Sequence, residues 1–476
     1  MLQVDIIIAG GGPAGCAAAA AFAAQGRSVL VVDAGLDRKR QLAGELLHPS
    51  GVEDLRALGF GAVLDVSAGQ AIEGFAVVDQ GPAHSRLADL PYPAGERGLA
   101  MEHAALAEPL LSALDTLERV TVRRRTRVVA LPHNAEGGVQ VTLDATAPGP
   151  HRRETVCARV LVAADGRASP TRKLLGIAET HDRLSTMVGM KVDRALLPHP
   201  ERGHLFIGGP APVLAYAISA RTARVMVDLP AGSRAERLET EPRLLDGVPD
   251  GLRAGILAAI REGALLHASN DTRVPAAITA GSAVLIGDAA GCCHPLSASG
   301  ISSGVRDARE LAAALEKEPR DVSLALKLYA RRRRPPQRTR IALATALYKA
   351  FAGEAPEMEA LKLGLFEYWR GSASGARVSM SLLSTREGRM WVMAREYARV
   401  VGRGTASMAA AAMGPQGRGL GVLARAGTGL LASALPHLST AIKGSVEDLE
   451  AVLGVPALHG VWHRAQQAPG PRGQHR

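Results

Sequence analysis

The first residues of the chain constrain its fold more than any other segment. Val4-Asp5-Ile6-Ile7-Ile8-Ala9 reads as a short buried strand. Gly10-Gly11-Gly12-Pro13-Ala14-Gly15 follows at once, and an Ala-rich helical stretch comes next. Strand, G-x-G-x-x-G and helix in this order form a turn that can cradle a dinucleotide. Gly10 permits the tight turn, Gly12 lets the backbone approach a pyrophosphate, and Gly15 lets helix and strand pack closely. Pro13 and Ala14 belong to the same phosphate-facing turn, where the helix N-terminus offers unpaired N–H groups and partial positive charge. A second strand, 28–32, ends on Asp33, which can accept hydrogen bonds from an adenosine ribose. The alternative is a Gly-rich strand-to-helix turn with no ligand.

Two later segments decide which dinucleotide. Arg159-Val160-Leu161-Val162-Ala163-Ala164-Asp165-Gly166 reads as a strand ending in Asp-Gly. Ala283-Val284-Leu285-Ile286-Gly287-Asp288-Ala289-Ala290-Gly291 reads as a strand ending in Gly-Asp. Taken singly, each is an ordinary turn signal. In this order and spacing the three motifs resemble those of flavoprotein monooxygenases of the hydroxybenzoate hydroxylase group. The resemblance implies FAD rather than NAD. It puts Gly287 and Asp288 at the ribityl chain, and Asp165 and Gly166 on the pyrophosphate side.

A chain of 476 residues can bury a large core and suggests two or three domains. The four cysteines, Cys16, Cys157, Cys292 and Cys293, form no C-x-x-C pair and read as small packed residues in a reducing compartment. The 14 histidines show no metal-ligand spacing, so no metal is expected. The first strand begins at the N-terminus, so no signal peptide and no secretion are expected. No run of about 18 apolar residues predicts a membrane-spanning helix. The net charge is +10, and from Gly371 onward 12 Lys/Arg stand against 5 Asp/Glu. With the run Arg331-Arg332-Arg333-Arg334, this basic charge beside apolar helices suits an anionic membrane surface on the cytoplasmic side. A solvated basic face is the other reading. Nucleic acid is not expected, because no recognition motif or aromatic platform accompanies the charge.

Strand and helix patterns alternate, which predicts an α/β fold: a Rossmann-type FAD-binding domain, an inserted β-sheet substrate domain and a C-terminal helical region. The FAD-binding parts are expected at 1–65, 96–178 and 273–335, and the substrate parts at 66–95 and 179–272. A helical, membrane-contacting region is expected over 336–465, and a Pro/Gly/Gln/Arg-rich disordered tail over 466–476.

Several segments narrow the family. Gly44-Glu45-Leu46-Leu47-His48-Pro49-Ser50-Gly51 resembles the G-E-L-L-Q-P-G-G segment of squalene epoxidases. Glu73-Gly74-Phe75, Leu90-Pro91-Tyr92-Pro93 and Pro212-Val213-Leu214-Ala215-Tyr216 with Arg224-Val225-Met226-Val227-Asp228-Leu229-Pro230 are similar to further segments of that family. So are His294-Pro295-Leu296-Ser297-Ala298-Ser299-Gly300 and Ala346-Leu347-Tyr348-Lys349-Ala350-Phe351. The chain departs from the family pattern at His48 for Gln, at Phe75 for Tyr, at Gln41 with Arg40 beside it for Arg, and at Ala298 and Ser299 for Gly.

The resemblance implies an FAD-dependent monooxygenase that puts one oxygen atom from O2 into a hydrophobic isoprenoid. Epoxidation of a squalene-like alkene is the first expectation, and hydroxylation of a prenylated aromatic or quinone precursor the second. A flavin-dependent prenyl reductase and an inactive flavin-binding scaffold are the rivals from other classes. NADPH is expected as reductant, directly or through a reductase partner. By the resemblance, Arg40 and Glu45 contact FAD, with Glu45 alternatively anchoring its loop. Pro295, Ala298, Ser299, Gly300 and Ile301 lie at the flavin edge, where small residues and a helix N-terminus suit the anionic reduced ring. His48 and Phe75 are expected near the flavin or the substrate pocket, His48 as a base for a phenolic substrate or as a structural hydrogen-bonder.

Overall fold

The protein is described from a computed structural model covering residues 2–413, apart from 36, 37, 39, 40, 82, 83, 133–137, 147–152 and 354. β1 (Leu2–Ala9) pairs in parallel with β2 (Val29–Asp33) on one side and β3 (Glu154–Ala163) on the other. β4 (Ala283–Leu285) extends the sheet beyond β3, and Val120–Arg124 extends it beyond β2, both in parallel. Ile6, Ile7 and Ile8 are fully buried. They form an unbroken apolar run, not an alternating one, because both faces of the sheet are covered. Ile6 and Ile8 pack in one core with α1 (Pro13–Ala24) and α2 (Gly300–Lys317). Ile7 packs in another with Val128, Val141 and Leu143 from the strands Thr126–Ala130 and Val139–Ala145. The run of alanines lets α1 lie close to the sheet and to α2.

Among the described residues the second sheet has seven strands, in the order Leu266–Pro275, Glu179–Asp193, Thr222–Pro230, Val213–Ala217, Gly203–Ile207, Gly74–Gly81, His84–Pro91. All neighbours are antiparallel except Gly203–Ile207 with Gly74–Gly81. Side chains alternate between its two faces. Val188, Met190, Val225 and Val227 pack with Leu252 and Ile256 of the helix Asp250–Glu262. Phe75, Tyr216 and Met226 share the other core with Leu347 and Phe351 of α3 (Val322–Ala352), Phe366 and Trp369 of α4 (Pro356–Gly371) and Met380 of α5 (Ala373–Leu383). α6 (Met390–Met413) runs along α4.

The helical region expected to begin at 336 has no break there, because Pro335 and Pro336 sit inside α3. Proline removes a helix hydrogen bond. Here Arg333, Gln337, Thr339 and Arg340 are buried on either side and carry the helix through. Apolar side chains of α4 and α5 pack in one core with the second sheet. The apolar segments around 419–435 and the tail 466–476 lie outside the described residues. Among the described residues no helix is long and apolar enough to cross a membrane.

Candidate active site

The turn after β1 is built by close approach. Gly10 has φ +109, and a Cβ there would lie 2.4 Å from the Ala164 carbonyl oxygen. A Cβ on Gly15 would lie 1.9 Å from the Gly10 oxygen, so the helix can seat only on glycine. At Gly12, the N-cap of α1, a Cβ would meet nothing within 4 Å. That open space at a helix N-terminus, with Pro13 and Ala14 forming its first positions, suits an anionic group. Asp33, 7% exposed, ties the turn to the end of β2. Its Oδ2 accepts from the Gly11 N–H at 2.9 Å and from Arg38 at 2.8 Å, and its Oδ1 from the Gly35 N–H at 2.9 Å.

A cavity of about 150 Å³ opens between this sheet and the second one. One wall is the loop that leads into α2, presenting Asp288, Pro295, Ala298, Ser299, Gly300 and Ile301. The Asp288 side chain makes no hydrogen bond or ion pair with any described residue, so its carboxylate is free toward the cavity. Gly287 stands behind it, with φ +56 and its N–H on Asp307 Oδ2 at 2.9 Å. Ala298 has φ +48, a left-handed conformation that glycine adopts freely. Ala298→Gly should therefore fold with an apparent melting temperature close to that of the parent. Relief of strain offsets glycine's entropy cost of about 0.5–1 kcal/mol, and a large drop in that temperature would refute the strained assignment. The opposite wall is apolar: Leu42, Leu46, Met187, Leu214, Met226 and Ala268, with Tyr216. Leu214, Tyr216 and Met226 share a sheet face because strand side chains alternate.

Two buried pairs tie the sheets together at this cavity. Glu45 on its rim accepts two hydrogen bonds from Arg224, at 2.9 and 2.8 Å, and both side chains are nearly inaccessible. Glu45 is thus spent on anchoring its loop. His294 stacks on Tyr348 at 4.4 Å between ring centroids and holds its Nε2 2.8 Å from the Asp228 carboxylate. Asn270 donates to Asp228 at 3.0 Å and to Ser185 at 2.9 Å, closing the cluster. The Gly-Asp turn is held from behind. Arg333 donates to Asp307 at 2.8 Å and to the Ala290 carbonyl at 3.0 Å, and Arg172 donates to the Ala289 carbonyl at 2.9 Å. Arg224 and Asp228 stand in a segment that the sequence marks by resemblance, but no local signal names their partners. Arg172 and Asp307 carry no signal, and Arg333 stands out only within the run of four arginines, which does not name its partner.

Two expected residues, His48 and Phe75, fall away from the cavity. His48 does not line it and is fully buried. Its Nε2 lies 2.8 Å from the Ser297 carbonyl oxygen, which can only accept, so Nε2 carries the hydrogen. The Tyr92 hydroxyl then donates to Nδ1, at 2.6 Å. Both ring nitrogens are used, and burial pushes the imidazole down to about 4. His48 is therefore a tie between Tyr92 and the 295–300 loop, not a base facing a substrate. Phe75 also lies off the cavity, 6.0 Å from the His48 ring and packed against Gly203. Asp165 is engaged locally: it accepts from Ser169 Oγ at 2.5 Å and from the Thr171 N–H at 2.8 Å, while Gly166 has φ +78 in the same turn. Arg40 lies outside the described residues.

The buried histidine has a pH consequence. Folded His48 stays neutral to about pH 4, whereas an unfolded histidine takes up its proton near 6.5. Its contribution is complete above about 6.5 and is lost as pH falls toward 4, on the order of 3 kcal/mol in all. His48→Gln, which can keep one donor and one acceptor, should flatten part of the fall in melting temperature across that window. An unchanged acid profile would show that His48 is not neutral in the folded protein.

Open space at the Gly12 helix start, a free carboxylate at Asp288 and small residues at 298–300 fit an FAD. Residues 3–342 match the model of the FAD binding domain, and the chain belongs to that family. It is an FAD-dependent monooxygenase with FAD as its cofactor. Among its relatives, squalene epoxidase erg1 of Aspergillus fumigatus is 28% identical over 433 residues, covering 83% of this chain and 88% of that one. Squalene monooxygenase of Mus musculus is 26% identical over 418 residues, covering 83% of this chain and 70% of that one. Within its class the protein is therefore squalene epoxidase-like. Among solved structures, PqsL, a probable FAD-dependent monooxygenase from Pseudomonas aeruginosa, matches with a TM-score of 0.62 at 25% identity, covering 74% of this chain and 97% of that one. The p-nitrophenol 4-monooxygenase PnpA of Pseudomonas putida DLL-E4 shares the fold, with a TM-score of 0.67 at 20% identity over 82% of this chain and 100% of that one.

Proposed function

We propose that the protein oxygenates a hydrophobic isoprenoid, with epoxidation of a squalene-like alkene as the reaction. The observation that carries this reading is the apolar wall of Leu42, Leu46, Met187, Leu214, Met226 and Ala268 facing the 295–301 loop. Such a wall binds by burial of apolar surface and offers a long hydrocarbon few polar groups to satisfy. FAD supplies the activation of oxygen. The chain's part is to bind, orient and exclude water. Gly12 and the start of α1 take the pyrophosphate, and Asp33 takes the adenosine ribose once Arg38 yields. Asp288 takes the ribityl hydroxyls. The first amides of α2, with Ala298, Ser299 and Gly300, support negative charge at the edge of the ring. An alkene needs no protein base, and His48 is not placed to be one for a phenol. NADPH is the reductant, directly or through a reductase partner. Trp391, 43% exposed beside Arg389 and Arg395, is the described part of a basic face that would meet an anionic membrane surface.

The test offers the reduced protein squalene and a prenylated quinol under labelled O2, with mass spectrometry of the products. One labelled oxygen in squalene, at a rate that His48→Gln leaves nearly unchanged, is the expected result. Label in the quinol alone would replace the epoxidase reading with the aromatic hydroxylase. Consumption of reductant with no label in either would point to a reductase.

A further inference from the structure

Behind the Gly-Asp turn lies a second hollow, of about 630 Å³, between α2, α3 and the turn that joins α5 to α6. Six arginines line it: Arg306, Arg331, Arg332, Arg333, Arg340 and Arg389. Among the described residues only two acids do, Asp307 and Glu310. Asp307 is taken by Arg333 at 2.8 Å, and Glu310 stands 3.5 Å from Arg332. The Arg331 side chain, exposed on α3, makes no hydrogen bond or ion pair with any described residue. The run of four arginines that stands out in the sequence thus feeds a concave surface. Arg340 lines both this hollow and the cavity beside Asp288, so the two adjoin.

Thr385 supplies an independent sign. It lines the hollow, is 8% exposed, and its Oγ1 has no hydrogen-bond partner. Its φ is +60, which is costly for a β-branched residue. Its carbonyl is held by the guanidinium of Arg306. A buried hydroxyl without a partner and a strained backbone both disfavour the folded chain. Together they present a free donor among the lining arginines, of which Arg340 also holds the Gly291 carbonyl and Arg389 the Glu387 carboxylate.

We propose that this hollow binds the phosphate groups of a small phosphorylated ligand. Guanidinium forks match phosphate oxygens two at a time, and the Thr385 hydroxyl donates to one more. Phosphate of this kind can come from a nucleotide such as the reductant or from a phospholipid headgroup. The site is independent of which hydrocarbon the enzyme oxidises.

The experiment titrates the full-length, FAD-loaded protein with inorganic pyrophosphate by calorimetry. The variants are Arg331→Ala/Arg332→Ala, Thr385→Val and a distant control, Arg320→Ala, each checked for an unchanged flavin spectrum. Pyrophosphate should bind to the parent and the control, about tenfold or more weaker to the double variant, and measurably weaker to Thr385→Val. Displacement of pyrophosphate by NADP⁺ at lower concentration assigns the site to a nucleotide. Binding to phosphatidic acid vesicles that pyrophosphate displaces, with NADP⁺ inert, assigns it to a headgroup. No binding of pyrophosphate to the parent, or equal binding to the double variant, overturns the proposal.

Discussion

Gly12→Val should leave a folded protein that retains no FAD. A Cβ at Gly12 meets no atom beyond its chain neighbours within 4 Å, so the turn has room for a side chain to start there. The same side chain would stand where the pyrophosphate approaches the start of α1. Gly15→Ala, by contrast, would place a carbon 1.9 Å from the Gly10 oxygen and should damage folding itself. The measurement is the flavin-to-protein absorbance ratio, with circular dichroism on both variants. Flavin should fall by more than about tenfold in Gly12→Val with native dichroism, and Asp288→Ala should weaken retention less. A yellow Gly12→Val protein would remove the phosphate assignment. The contrast between neighbouring glycines in one motif separates a residue that serves the ligand from one that serves the packing.

Arg224→Ala should be among the most destabilising single substitutions outside the apolar core. It would leave the Glu45 carboxylate buried at the cavity rim without its partner, and Glu45 is only 3% exposed. Breaking a buried pair in this way costs about 3–5 kcal/mol, because the remaining charge keeps its desolvation penalty. The loss should appear as an apparent melting temperature several degrees lower, with weaker flavin retention because Glu45 lines the cavity. Glu45→Met/Arg224→Met removes both charges and keeps volume, so it should recover most of the loss. If the double variant is as unstable as Arg224→Ala, the pair acts through its shape and not through uncompensated charge.

The parts legible in the sequence are those whose physics is local. The β1 run was readable because a parallel strand covered on both faces is apolar without alternation, and Ile6, Ile7 and Ile8 are fully buried. Gly10 and Gly15 were readable because close backbone approach leaves no room for a Cβ. The helix beginning near Ile301 and the small residues at 298–300 were likewise readable, and α2 begins at Gly300. Helix limits were less so. The helix Pro49–Leu55 is followed by the wider turn Arg56–Phe60, because Gly59 at φ +91 interrupts the helical backbone, and no spacing in the sequence marks that limit.

By itself the sequence determined a strand–turn–helix for a dinucleotide, the order of the three flavin motifs and an α/β class, all set by neighbours a few residues apart. What each side chain faces was decided only by tertiary structure. His48 stands in a segment that resembles one near the flavin, yet Tyr92 and the Ser297 carbonyl, far along the chain, take both its nitrogens. Glu45 finds its partner 179 residues away. The Gly-Asp turn is braced by Asp307 and Arg333 on helices whose sequence shows only amphipathic spacing. Burial and pairing across such distances depend on how the two sheets and α2 and α3 come together, and no short-range pattern records that.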